Sequence, residues 1–334
     1  MSTEADLPAV RPAADLVAGS AVLAEAVAVL AGGGLVALPT ETVYGLAADA
    51  TSDDAVARIY AAKGRPGTNP LISHVEDFAA ARRHGVFDDT ARRLAEAFWP
   101  GPLTLVVPRA PGSPVAERTT AGLPTLALRV PASDAMRLIA ATLGRPLAAP
   151  SANRSGRVSP TTAADVVADL GFRVSLVIDG GPCRVGVEST IVGCFGPEPT
   201  LLRPGGTTVE AIETVLGRPL LRPELDASRP SAPGQLLSHY APRAAVRLHA
   251  TSVAPGEALL AFGPTPLPGA ETAAAVLNLS PRGDLAEAAT NLFTMLRALD
   301  RSGAPVIAVA PLPHTGLGLA IADRLTRAAA PRPA

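Results

Sequence analysis

Short apolar runs alternate along the chain with stretches whose apolar residues recur every three to four positions. Residues 20–31 predict a helix, with Ser20 as its N-cap and Gly32 to Gly34 as its stop. The run Leu35-Val36-Ala37-Leu38 follows as a short buried strand. A second helix is expected over about 53–62, capped by Thr51 or Ser52. Further apolar runs stand at 71–75, 103–107, 125–130, 147–149, 174–178 and 189–192, and helical stretches near 88–98, 133–143 and 161–170 separate several of them. Helices interspersed with buried strands indicate an α/β layer structure. Some connections are too short for a helical crossover, which predicts a mixed sheet.

Composition shifts after about residue 217. Segment 218–243 is rich in Pro, Ser, Arg and Gly and reads as a linker. Beyond it, strands are expected at 245–248, 258–262 and 306–309, and helices at 284–301 and 318–329. This divides the chain into a first domain over 14–217 and a smaller α/β domain over 244–330. A length of 334 residues fits two domains better than one. With 48% hydrophobic but only 3% aromatic residues, the cores must be built from Ala, Val, Leu and Ile.

Charge and cysteine content narrow the function classes. The net charge of −1 lacks the basic excess of a protein that holds nucleic acid across a broad surface. Cys183 and Cys194 form neither a metal-ligand spacing nor a disulfide framework and read as small core residues of a reducing compartment. The first residues lack a signal peptide's positive start. The apolar stretch that follows carries Asp15 and Glu25, so no membrane span is expected and the chain reads as cytoplasmic.

Five segments carry candidate chemistry. Pro39-Thr40-Glu41-Thr42-Val43-Tyr44-Gly45 follows a buried strand, at the carboxyl end where open α/β sheets tend to bind ligands. Lys63-Gly64-Arg65, with Asn69 beyond, sets two cations on a loop: a phosphate cradle or a solvated basic turn. Ser151 and Asn153 lie before a helix expected near Thr161, whose N-terminus adds positive potential. Arg129 sits inside an apolar strand, either on an outward edge or ready to read an anionic substrate group. Glu188-Ser189-Thr190 leads into another strand, and Arg203 ends a further one. His74 lies within an apolar run, where a hydrogen-bonded core histidine is the commoner case. No Walker loop occurs, and neither does a G-x-S-x-G elbow or a His/Cys/Asp grouping of metal spacing.

Taken in order, PTETVYGL, KGRPGTNPLISHV, WPGPLTLV, LALRVPA, APSANRSG, GVESTIV and LLRPGG closely resemble the threonylcarbamoyl-AMP synthase family. The linker end, through His239-Tyr240-Ala241-Pro242, and the stretch from Gly316 to Arg324 resemble its longer, two-domain branch. The resemblance implies a YrdC-like twisted mixed sheet with helices, plus a smaller Rossmann-like C-terminal domain. It implies synthesis of threonylcarbamoyl-AMP from L-threonine, bicarbonate and ATP, with hand-over to a threonylcarbamoyl-transferase machinery. Magnesium is expected to arrive with ATP, and no protein-bound metal is expected. By resemblance, the catalytic signature falls on Lys63, Arg65, Ser151 and Asn153, with Lys63 and Arg65 offsetting triphosphate charge. Nucleotide contacts fall on Arg65, Asn69, Thr125, Ser151, Ser159 and Arg203. Threonine contacts fall on Thr42, His74, Arg129, Ala149 (through its backbone) and Ser189. One departure stands in the linker, where many members carry a nucleotide-touching tyrosine and this chain has Leu237, with Ser238 or Tyr240 as replacements. The flexible linker and second domain are expected to serve as a lid. The rival reading is an RNA-binding module of the same fold without ATP turnover, held by Lys63, Arg65, Arg129 and Arg203.

Overall fold

The computed structural model describes residues 7–223, 232–234 and 238–331. Its first ten strands are β1 (Ala9–Pro12), β2 (Val36–Leu38), β3 (Gly45–Asp49), β4 (Ile72–His74), β5 (Leu103–Pro108), β6 (Thr125–Arg129), β7 (Leu147–Ala148), β8 (Leu176–Asp179), β9 (Thr190–Gly193) and β10 (Thr200–Arg203). They form one sheet in the order β1-β8-β2-β3-β7-β4-β6-β5-β9-β10. It is mixed as expected: β4 pairs β6 in parallel, whereas β7 runs antiparallel to β4, and β5 to β6. The helices of this part are α1 (Ala21–Ala31), α2 (Asp53–Lys63), α3 (Phe78–His84), α4 (Asp89–Phe98), α5 (Glu117–Thr120), α6 (Asp134–Leu143), α7 (Ala163–Leu170) and α8 (Val209–Leu216).

Local chemistry sets the helix ends. Ser20 and Ser52 accept hydrogen bonds from Leu23 N and Ala55 N and so satisfy orphan donors at the starts of α1 and α2. Gly64 ends α2 in the left-handed region at φ 61°, which lets the chain turn back directly after Lys63. The helix expected near Thr161 starts at Ala163, because Thr162 supplies the cap.

The second sheet is wholly parallel, in the order β11-β14-β12-β13, with β11 Ala245–Arg247, β12 Ala258–Ala261, β13 Ala275–Asn278 and β14 Val306–Val309. It carries α9 (Leu285–Arg301) and α10 (Leu317–Ala329). The two parts share apolar packing. Val43, Val158 and Val187 of the first part lie in one buried cluster with Leu292, Phe293 and Leu296 of α9 and with Tyr240. Polar contacts reinforce this seam: Arg297 pairs with Asp169 at 2.7 Å, and the Thr161 and Thr294 hydroxyls meet at 2.9 Å. The described end of segment 218–243 is no free spacer, since Ala232, His239, Tyr240 and Ala241 are buried. Leu237 lies outside the described residues.

Candidate active site

One face of β4 and β6 floors a cavity. Side chains two apart on a strand share a face, so Ile72 and His74 of β4 line it together. The parallel register sets His74 opposite Arg129 of β6. Ala149 and Ser151 follow β7, Ser189 precedes β9, Arg203 ends β10, and Thr42 lies between β2 and β3. The site therefore lies over a sheet face, not only at strand carboxyl ends. Pro233, Gly234, His239 and Tyr240 from the connecting segment complete the lining. Beneath them, Ala232 packs with Ile72, Val106, Ala127 and Ile191 as an apolar floor.

The cationic groups are buried and held. Arg129 donates to Glu41 Oε1 at 2.6 Å, to Thr42 Oγ1 at 3.1 Å and to the Gly101 carbonyl at 3.1 Å. Burial pushes the Glu41 carboxyl up, but the charge and hydrogen bond of Arg129 outweigh it and hold the group below the usual range. Arg203 donates to the Ser189 carbonyl at 2.8 Å, to Ser189 Oγ at 3.2 Å and to the Pro233 carbonyl at 3.2 Å. Arg65 donates to the Pro70 and Asn69 carbonyls at 2.9 and 3.3 Å, and burial brings its pKa down to about 10.

Lys63 corrects an expectation. Its ammonium does not line the cavity; it donates to the Ser151 and Asn153 carbonyls at 2.6 and 2.5 Å. The side chain is 3% exposed, and burial holds its pKa well below the ordinary lysine value. A solvated basic turn is excluded by this burial. The same bonds place Lys63 directly beside Ser151 and Asn153. Ser151 Oγ in turn donates to Asn153 Oδ1 at 2.5 Å, and the Asn153 amide donates to the Arg154 and Arg157 carbonyls at 3.0 and 2.7 Å.

The remaining expected residues divide. Thr42, Arg65, His74, Arg129, Ala149, Ser151, Ser189 and Arg203 line the cavity; Lys63, Asn69, Thr125, Asn153 and Ser159 do not. Asn69 is fully buried and, among the described residues, neither of its amide atoms has a partner; His74 Nδ1 is likewise unpartnered among them. Leaving buried polar groups unpaired costs about 1–3 kcal/mol each. Burial, then the charge of Arg129, pushes His74 down to about 3, so its ring is neutral. Ser159 Oγ donates to Glu188 Oε1 at 2.5 Å, one bond removed from the cavity. Sequence reasoning missed Glu188 and His239 as lining groups, and Arg324 behind them. A charged residue amid the apolar run of α10 was the available signal for Arg324.

Fold and site define a two-domain α/β protein whose arginine-rich cavity suits small anionic substrates. The family model described as "Telomere recombination" matches residues 28–205, and "Threonylcarbamoyl-AMP synthase, C-terminal domain" matches 207–330. A threonylcarbamoyl-AMP synthase of Bacillus subtilis is 40% identical, covering 93% of each chain. Another from Pyrococcus abyssi is 42% identical over 89% of this chain and 90% of its own. The crystal structure of P. abyssi Sua5 complexed with L-threonine superposes with a TM-score of 0.84 at 37% identity, covering 92% of this chain and 94% of that one. The chain belongs to the threonylcarbamoyl-AMP synthase family, whose members are nucleotidyltransferase-type enzymes of tRNA modification. No described helix is long and apolar enough to cross a membrane.

Proposed function

We propose that the chain converts L-threonine, bicarbonate and ATP into threonylcarbamoyl-AMP, pyrophosphate and water, the first step toward threonylcarbamoyladenosine in transfer RNA. One observation carries the reading: Arg65, Arg129 and Arg203 converge with Thr42, Ser151 and Ser189 around a single cavity. The threonine amine and bicarbonate give a carbamate with loss of water. A carbamate oxygen then attacks the α-phosphorus of ATP, and the bond to the β,γ-diphosphate breaks. No enzyme nucleophile is needed, so positioning and charge stabilisation supply the catalysis. Magnesium enters with ATP as part of that substrate.

In this reading Arg129 reads the threonine carboxylate, its fork aimed by Glu41 and Thr42. The neutral ring of His74 and the hydroxyls of Thr42 and Ser189 fix the amino acid, with the Ala149 backbone. Arg65, Arg203, Asn69, Thr125, Ser151 and Ser159 serve the nucleotide side. Lys63 acts through the Ser151–Asn153 turn, whose carbonyls it holds, rather than by touching phosphate. The connecting segment shields the water-labile carbamate. The adenylate product is then handed to a threonylcarbamoyl-transferase machinery.

The test is pyrophosphate release from ATP with threonine and bicarbonate, each omitted in turn. Release that requires all three supports the reading. Salt-dependent RNA binding with no pyrophosphate release would replace it with the RNA-binding alternative.

A further inference from the structure

Glu188 lines a cavity that, on the reading above, must accept a triphosphate. It lies 5% exposed at the head of β9. Burial pushes its carboxyl up, but Arg324, Arg203 and Ser159 together hold it below the ordinary range, so the group is charged. A buried negative charge beside a polyanion repels it strongly, because little water screens the pair. The direct ion-pair partner comes from the other domain. Arg324 of α10 donates through Nε to Glu188 Oε2 at 2.7 Å. Its guanidinium carbon stands 5.0 Å from the centroid of the Tyr240 ring, and Tyr240 itself lines the cavity. Arg324 is fully buried, and Asp323 Oδ2 accepts from its Nη1 at 2.5 Å. Among the described residues, Arg324 Nη2 has no partner.

We propose that Arg324 is a positioning residue through which the C-terminal domain makes the cavity receptive to ATP, by neutralising Glu188 and seating Tyr240 over the site. Nucleotide affinity is then tied to the docking of the second domain. With α10 in place the carboxylate is paired. With α10 withdrawn the same carboxylate loses its ion pair and keeps only the Ser159 hydrogen bond and the charge of Arg203 against the phosphates. The inference rests on the ATP reading, and its test is separable from that reading's own.

Steady-state kinetics of the full-length chain would compare wild type, Arg324→Gln, Glu188→Gln and the double variant, by pyrophosphate release. Arg324→Gln should raise the ATP KM by about ten- to a hundredfold, with the threonine KM changed by less than about threefold. Glu188→Gln added to it should restore most of the ATP KM, since the repelling charge is gone. A merely structural arginine would give parallel losses for both substrates and no such reversal, and that outcome overturns the inference. An unchanged ATP KM in Arg324→Gln overturns it as well. Should Arg324→Gln fail to fold, Arg324→Lys decides. It keeps the charge but not the planar contact with Tyr240, so an ATP KM near wild type, or a rise that Glu188→Gln reverses, supports the inference, and a tenfold rise that Glu188→Gln leaves in place overturns it. Wild type without substrate-dependent pyrophosphate release would sink the function reading itself, whereas an active wild type with an insensitive Arg324→Gln sinks only this inference.

Discussion

Buried ionisable groups in this chain have measurable consequences. His74 binds its proton only near pH 3 in the fold, through burial and the neighbouring Arg129, while an unfolded histidine binds it near 6.5. The unfolded state therefore takes up more protons between those values, and stability falls as the pH drops from about 6.5, by up to about 1.4 kcal/mol per pH unit. His239, also held well below its ordinary value by burial, acts in the same direction. Glu41 and Glu188 have lowered pKa values and lose their contribution only at more acid pH. Urea midpoints should thus fall between pH 6.5 and 5, and His74→Gln should flatten that slope; equal slopes in both proteins would contradict the assignment. Lys63→Ala removes the ammonium that joins the Ser151 and Asn153 carbonyls. Losing a charged, buried hydrogen-bonding group costs about 1.5–3 kcal/mol. Activity should fall roughly ten- to a thousandfold through the displaced turn. The check is melting temperature beside turnover, with Lys63→Arg offering no rescue because the enclosed site fits a point charge and not a fork.

Turns between strands and helices fix the cavity's outline more tightly than the strands do. At Gly205, between β10 and α8, an added Cβ would stand 2.3 Å from the Glu188 carbonyl and 2.4 Å from Ser189 C. Both obstacles are backbone, so Gly205→Ala must drive the turn from the head of β9 and move Ser189. At least a tenfold loss of turnover is expected. Gly217 makes the contrast: it caps α8 at φ 69° with open space around it. Gly217→Ala should cost about 1–2 kcal/mol of stability and leave kinetics unchanged. The same comparison shows what a linear sequence discloses. The caps Ser20 and Ser52 and most of the short strands were legible, because each depends on neighbours in the chain, whereas β1 and β13 were not anticipated. The strand β3, read as part of a polar loop, was not: Gly45, Ala47 and Ala48 carry little intrinsic strand preference, and its pairing with β2 and β7 supplies the difference. Helix α8 was passed over although Thr208 caps it and Gly217 ends it. The convergence of Lys63 on Ser151 and Asn153 was expected from resemblance, but the inward turn of the ammonium was not, since it depends on partners 88 and 90 residues away. Arg324 and Glu188 lie 136 residues apart, beyond any periodicity argument.

The joint between the two domains determines whether they behave as one cooperative body. A flexible connection would leave each with its own core. Instead Val43, Val158 and Val187 are buried in the same cluster as the α9 face, so neither part can unfold without exposing apolar surface of the other. Arg297 to Asp169, Thr290 to the Arg184 carbonyl at 2.7 Å and Gly316 N to Glu210 Oε1 at 3.0 Å add polar fixings along that seam. The chain should therefore melt in a single calorimetric transition. Gly186 is the place to break it. Its φ is 77°, and a Cβ there would stand 2.4 Å from the Ala289 carbonyl oxygen and 2.4 Å from Thr290 Cα, both backbone atoms of α9. Gly186→Val would wedge α9 away from the loop before Glu188 while leaving both sheets intact. Calorimetry should then resolve two transitions. The same variant should raise the ATP KM, because withdrawal of α9 carries α10 and Arg324 with it. A single undivided transition with normal kinetics would mean that the seam yields locally and that the domains are coupled elsewhere.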